Sequence, residues 1–150
     1  MTSYAPLLAK EKHTQWSPDL IYFNNREVKP TTGYYVQKLY GQNAGSHYIP
    51  SQIILDNQDN RVKLRIGSSI VRDSKTGDVI VKLVNLLPVS VETEIQLPGI
   101  GSVQPSAVRT VLAGAPESTP LPVTDTIEVG ANFKQQLPAY SFTVIRLKTK

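Results

Sequence analysis

Asp78-Val-Ile-Val-Lys-Leu-Val-Asn85 and Val91-Glu-Thr-Glu-Ile-Gln-Leu97 are the stretches on which the fold turns. In the second, Val91, Thr93, Ile95 and Leu97 alternate with Glu92, Glu94 and Gln96. A period of two is a strand with one wet face, and a slip by one residue would bury both glutamates. Ahead of the first stretch, Ser74-Lys-Thr-Gly-Asp78 is a hairpin turn with glycine where a positive φ is wanted. Working outward, Val62–Val71, Asp78–Leu86, Ala107–Leu112, Thr126–Val129 and Tyr140–Leu147 read as further strands. Pro88, Pro98, Pro105, Pro120, Pro122 and Pro138 fall between these runs, as strands require. Short strands with turns between them predict an antiparallel β-sandwich, and a mainly β protein.

Upstream the composition changes. Of seven Tyr, three Phe and one Trp, all but Phe133, Tyr140 and Phe142 precede residue 50. The cut falls near Tyr48–Gln52, which divides the chain into residues 1–48 and 49–150. Ser3–Lys12 reads as the tail of a helix, with Pro6 at a kink or in its first turn. Leu20–Asn24 is a short apolar run, suited to a strand buried on both faces as in a parallel sheet. Pro30-Thr-Thr32 offers a helix start, and Tyr35, Val36, Leu39 and Tyr40 carry its apolar face from about Thr32 to Tyr40. That helix should bury Tyr35 and Leu39, leave Lys38 exposed, and stop at Gly41 or Gly45. Helix, strand, helix is one α/β unit whose lone strand implies partners outside the chain.

The 150 residues carry a net charge of +4, with basic residues spread along the whole length. Nucleic-acid binding needs such charge gathered on one face, so a solvated basic surface is the reading and no nucleic-acid partner is expected. No apolar run approaches the ~18 residues of a membrane span. Zero cysteines exclude a disulfide scaffold, a Cys-ligated zinc and a Cys nucleophile. The opening residues lack a charged segment before their apolar stretch, so they do not read as a signal peptide. They read as the middle of a longer chain.

Thr14-Gln-Trp-Ser-Pro-Asp-Leu-Ile-Tyr-Phe-Asn-Asn25 and Pro30-Thr-Thr-Gly-Tyr-Tyr-Val-Gln-Lys-Leu-Tyr-Gly-Gln-Asn43 resemble the end of the catalytic barrel in family 51 glycoside hydrolases, the α-L-arabinofuranosidases. In that family a W-x-P-D-x-I-x-F strand is followed by a P-x-x-Y-x-x-Q helix. Asp78–Asn85 and the closing Leu137-Pro-Ala-Tyr-Ser-Phe-Thr-Val-Ile-Arg-Leu147 resemble the same family's C-terminal β-sandwich. The resemblance implies a helix-strand-helix remnant of a (β/α)8 barrel over residues 1–48, buttressed by the sandwich. It also implies a parent enzyme that releases terminal arabinofuranosyl residues from arabinose-containing polysaccharides, periplasmic or extracellular, with the rest of the barrel as partner. A homo-oligomer stays open.

Retaining hydrolysis places two carboxyls ~5–5.5 Å apart. In this family both are glutamates on earlier barrel strands, and no residue here matches either motif. Glu11 precedes the strand and so is expected toward the opposite end of the barrel. Glu27 follows it on the active-site side, one carboxylate without a mate. Asn24 and Asn25 end the strand where a parent barrel would hold sugar, and an amide there can hydrogen-bond a hydroxyl. The plainer reading is that Asn-Asn turns the chain. Trp16 is expected to pack, and Tyr34, Tyr35 and Tyr40 to form a docked helix face. His13 and His47 have no ligands at useful spacing, and Asp56, Asp59, Asp73 and Asp78 form no calcium loop. No catalytic residue, metal or cofactor is expected. A stand-alone carbohydrate-binding or protein-interaction sandwich is the alternative, although it leaves residues 1–48 without a purpose.

Overall fold

The computed structural model describes residues 4–149. Leu8–Lys10 (β1), Ile21–Phe23 (β2) and Val28–Pro30 (β3) form a three-stranded sheet in that order. β1 runs parallel to β2, and β3 antiparallel. Two expectations are corrected here. Apart from Ser3, which lies outside the described residues, the stretch expected to be a helix carries a strand instead, with Pro6 ahead of it. The β2 strand is also not alone, and its three residues are half-buried rather than enclosed on both faces.

Thr32–Gln42 forms α1. The Thr31 hydroxyl donates to the Leu20 carbonyl at 2.8 Å, fastening the helix start to the lead-in of β2. Leu39 is buried and Lys38 exposed, as the helical spacing predicts, whereas Tyr35, expected to be buried, is half-buried like Val36. They pack on Val71, Ile80, Leu112, Phe142 and Val144 of the large sheet described below. Covering one leucine in this way contributes roughly 2 kcal/mol, which a helix of this length needs to persist. Asn43 closes the helix by donating its side-chain amide to the Leu39 carbonyl at 2.9 Å.

The chain then turns at Gly45, which has φ +69°. A Cβ there would stand 2.5 Å from Val71 Cγ2 and 2.7 Å from its Cβ. Strain and overlap act together, so Gly45→Ala should cost about 2 kcal/mol in urea unfolding. A cost below a few tenths would show that the turn rearranges freely.

His47–Ile49 (β4) leads to Asn60–Lys63 (α2), a single turn capped by Asp59 Oδ1, which accepts from the Arg61 amide at 2.8 Å. The front of the strand expected from Val62 is therefore helical, because Asp59 offers its backbone a cap. Ile66–Arg72 (β5), Val79–Asn85 (β6), Val91–Gln96 (β7), Val103–Ala113 (β8), Val123–Glu128 (β9), Asn132–Leu137 (β10) and Ser141–Thr149 (β11) complete the fold. A six-stranded sheet in the order β4-β5-β6-β11-β8-β9 faces the pair β10-β7, and neighbouring strands are antiparallel throughout. This is the predicted β-sandwich.

Its core sits between the two sheets. Val79, Val81, Leu83, Ala107, Ile145 and Leu147 meet Ile95, Leu97 and Leu137. Along β7 the burial alternates as read, with Glu92, Glu94 and Gln96 exposed. The opposite face of β6 carries Ile80 and Val84 toward α1, with Lys82 between them and 3% exposed. Its ammonium lies 5.8 Å from the centre of the Tyr40 ring, and burial pushes its pKa down.

Pro105 lies inside β8 rather than between strands. The ladder to β11 slips there, with Ala107 opposite Leu147 but Val103 opposite Thr149. An irregular ladder tolerates a residue without an N–H.

Candidate functional site at the carboxyl ends of the parallel pair

Because β1 and β2 are parallel, the residues that follow them emerge at the same end. Glu11 follows β1, and Asn24 follows β2. The Glu11 amide donates to the Phe23 carbonyl at 2.9 Å, which locks the two ends together. Glu11 is thus not at the opposite end from Glu27, and the expectation that Glu27 lacks a mate is also corrected. Lys29, on β3, bridges them at 2.9 Å to Glu11 and 3.0 Å to Glu27.

Asn24 organises the turn between β2 and β3. Its Oδ1 accepts from the amides of Arg26 and Glu27 at 2.9 and 3.0 Å. Its Nδ2 donates to Glu11 at 2.8 Å and to Glu27 at 3.2 Å. Both ends of the amide are therefore engaged within the chain, as the turn reading requires. Asn25 is exposed at the tip of that turn. An open cleft of about 480 Å³ lies beside the cluster, lined by Glu11, Lys12, Tyr22 and Lys29.

Lys29 and Asn24 donate to both carboxylates and hold each below the usual glutamate pKa of 4.5. The two carboxylates raise Lys29 above its usual 10.5. The carboxylates' support for the folded state is complete above pH 4.5 and is lost as pH falls through their lowered values. Support from Lys29 is complete below pH 10.5 and is lost as pH rises through its raised value. Glu27 and Lys29 are exposed and Glu11 is half-buried, so solvent screens the cluster and its role is to shape this end of the sheet rather than to stabilise the chain. Lys29→Met should move the titrations of Glu11 and Glu27 upward together, followed by carboxyl carbon NMR. Unchanged titrations would show that Lys29 does not govern them.

The remaining candidates have structural places. Trp16 is 67% exposed, so the packing expected of it does not occur within this chain. Tyr40 stacks on Phe142 at 4.6 Å, and Tyr34 meets Tyr35 edge-on at 5.3 Å. Asp73 and Asp78 both face Arg146, at 3.8 and 2.9 Å. Among the described residues no three of His, Asp and Glu gather as a metal site, and no helix is long and apolar enough to cross a membrane. Beyond Tyr48 the described residues include no exposed aromatic side chain, so the sandwich presents no stacking row for polysaccharide. Sequence reading placed Glu11 at the wrong end and passed over Lys29, because their meeting depends on β1 being a strand parallel to β2.

Residues 1–141 match the family model described as the α-L-arabinofuranosidase C-terminal domain. The chain is 30% identical over 156 aligned positions to a probable α-L-arabinofuranosidase A of Aspergillus terreus, covering 97% of this chain and 23% of that protein. It is 50% identical over 52 residues to an extracellular exo-α-L-arabinofuranosidase of Streptomyces chartreusis, 6% of whose length is covered. Among solved structures, an arabinose-bound GH51 α-L-arabinofuranosidase superposes with a TM-score of 0.85 at 32% identity, over 99% of this chain and 24% of that one. The chain thus spans less than a quarter of each of these relatives. A Thermotoga maritima α-L-arabinofuranosidase, at 14% identity and a TM-score of 0.70, shares the fold. The mainly β architecture, the order of its parts and the matched span agree, and the chain belongs to the α-L-arabinofuranosidase C-terminal domain family.

Proposed function

We propose that this chain is the C-terminal part of an α-L-arabinofuranosidase that releases terminal arabinofuranosyl residues from arabinose-containing polysaccharides or oligosaccharides. Residues 1–48 complete the catalytic barrel, and residues 49–150 buttress it without taking part in the chemistry. The observation that carries this reading is the parallel pairing of β1 with β2. Neighbouring strands of a (β/α)8 barrel are parallel and present their carboxyl ends to the substrate. Leu7, Leu8, Trp16 and Val28 around this small sheet are all more than half exposed, as suits surface that a barrel would cover.

Asn24 and Asn25 lie near the substrate in this reading. Asn25 offers its amide to a sugar hydroxyl, and Asn24 holds the turn that presents it. The test is a chimaera in which this chain replaces the span it matches in the Aspergillus terreus relative. It should release phenol from an aryl α-L-arabinofuranoside, and Asn25→Ala should raise KM several-fold, the loss of about one hydrogen bond. A folded but inactive chimaera would remove the functional reading. An unchanged KM would remove Asn25 from the substrate's surroundings.

A further inference from the structure

We propose that the open cleft beside Glu11 and Lys29 takes an acidic part of the arabinose-bearing chain, a uronic-acid carboxylate beyond the sugar released, with Lys12 as its cation. The proposal deepens the functional reading above and rests on it. Lys10, Lys12, Arg26 and Lys29 stand at this end of the small sheet, against Glu11 and Glu27. Lys29 and the Asn24 amide serve both carboxylates. Lys10, Lys12 and Arg26 are exposed and form no ion pair among the described residues. This end therefore keeps positive charge that the chain itself does not neutralise. Of those three cations, Lys12 is the one that lines the cleft, together with Glu11, Tyr22 and Lys29.

The backbone at Lys12 is a second, independent observation. The turn Lys10–His13 is closed by the His13 amide, which donates to the Lys10 carbonyl at 3.0 Å. Lys12 is its third residue and has φ +63°, a conformation that favours glycine. A lysine there works against its own backbone, so the turn does not call for one, and strain of this kind gathers where a side chain must be presented to a ligand. What the position supplies is an ammonium at the side of the cleft. An exposed cation recognises an anion, and the anion that a polysaccharide carries within its sugars is the uronic carboxylate. The cleft is open, which suits units of the polymer that stay in solvent rather than the enclosed sugar. Lysine's flexible point charge suits a carboxylate whose position varies from unit to unit. Tyr22 adds an aromatic wall for a sugar ring, its hydroxyl already accepting from the Asp19 amide at 2.9 Å. Glu11 is the one carboxylate lining the cleft, and both of its oxygens are engaged, Oε1 by Lys29 and Oε2 by Asn24.

The test compares two probes that differ only in charge, arabinofuranosyl-galactosyl-galacturonic acid and its methyl ester. Their Kd values for the Aspergillus terreus chimaera are measured by titration calorimetry. In dilute buffer the acid should bind about fivefold more tightly than the ester, the scale of an exposed ion pair. The preference should shrink as salt is added to about 0.5 M. Lys12→Asn should bring it to about twofold or less, and Lys12→Arg should keep it. Asparagine tolerates the left-handed backbone better than lysine, so the melting temperature of Lys12→Asn should not fall, which separates lost recognition from lost folding. Equal affinity for acid and ester would overturn the proposal, as would a preference that salt leaves untouched. A preference that Lys12→Asn leaves intact would overturn the role of Lys12. Turnover of the aryl arabinofuranoside by the unsubstituted chimaera reads the functional proposal separately. A folded, inactive chimaera would fail that reading, while the two Kd values still decide whether the cleft prefers a carboxylate.

Discussion

Asn85→Ala should lower the unfolding free energy by about 3 to 4 kcal/mol and the melting temperature by about 10 °C. Asn85 ends β6 at 0% exposure. Its Nδ2 donates to the carbonyls of Val89 at 2.9 Å, Pro138 at 2.8 Å and Leu137 at 3.3 Å. Its Oδ1 accepts from the Leu87 amide at 3.0 Å. One side chain therefore satisfies the backbone where β6 turns toward β7 and where β10 crosses to β11. Alanine supplies none of these bonds and leaves several peptide groups dry, each costing about 1 to 3 kcal/mol. Asn85→Asp is the sharper test. It keeps the acceptor for Leu87 but turns a lone-pair oxygen on three carbonyls, so above the carboxyl's pKa it should cost at least as much as alanine. Urea unfolding measures both. A loss under 1 kcal/mol for alanine would mean that water takes over the amide's bonds.

What was legible in the sequence follows from how local its cause is. Val91–Leu97 could be read because its burial alternates without exception and depends only on which face a residue occupies. β10 could not. Its inward positions are Phe133, Gln135 and Leu137, and the glutamine breaks the pattern. Gln135 is tolerated there because Arg109, from the facing sheet, donates to its Oε1 at 2.8 Å, a partner invisible to any local window. β1 and β4 have three residues each, too few for a period to show, and they are strands because a neighbour pairs with them. The polar cluster has the same logic. Asn24 and Asn25 could be singled out from the end of an apolar run, whereas Glu11 joins them only through the parallel register of β1 and β2.

The 150-residue chain by itself should not hydrolyse arabinofuranosides, and the cluster at the ends of β1 and β2 supplies the reason. Glu11 and Glu27 are the one pair of carboxylates among the described residues that shares a cation and an amide, so they invite comparison with a retaining pair. Retaining hydrolysis divides the labour, with one carboxyl protonated to release the leaving group and the other ionised to attack the anomeric carbon. Such a division needs environments that push the two pKa values apart, commonly by burying one group. Here both carboxyls accept from Lys29 and Asn24, neither is buried, and both are pulled the same way, below 4.5. Two ionised carboxylates offer no acid at neutral pH. The three-stranded sheet also cannot enclose a sugar, and a site that leaves its ligand mostly in water cannot repay the cost of ordering it. The assay follows phenol release from an aryl α-L-arabinofuranoside by the purified chain between pH 4 and 8, with Glu11→Gln and Glu27→Gln alongside. Background rates throughout are the expected result. Turnover that survives repurification and is abolished by either substitution would make that glutamate catalytic, and would require the cluster to hold one carboxyl protonated against the pull of Lys29.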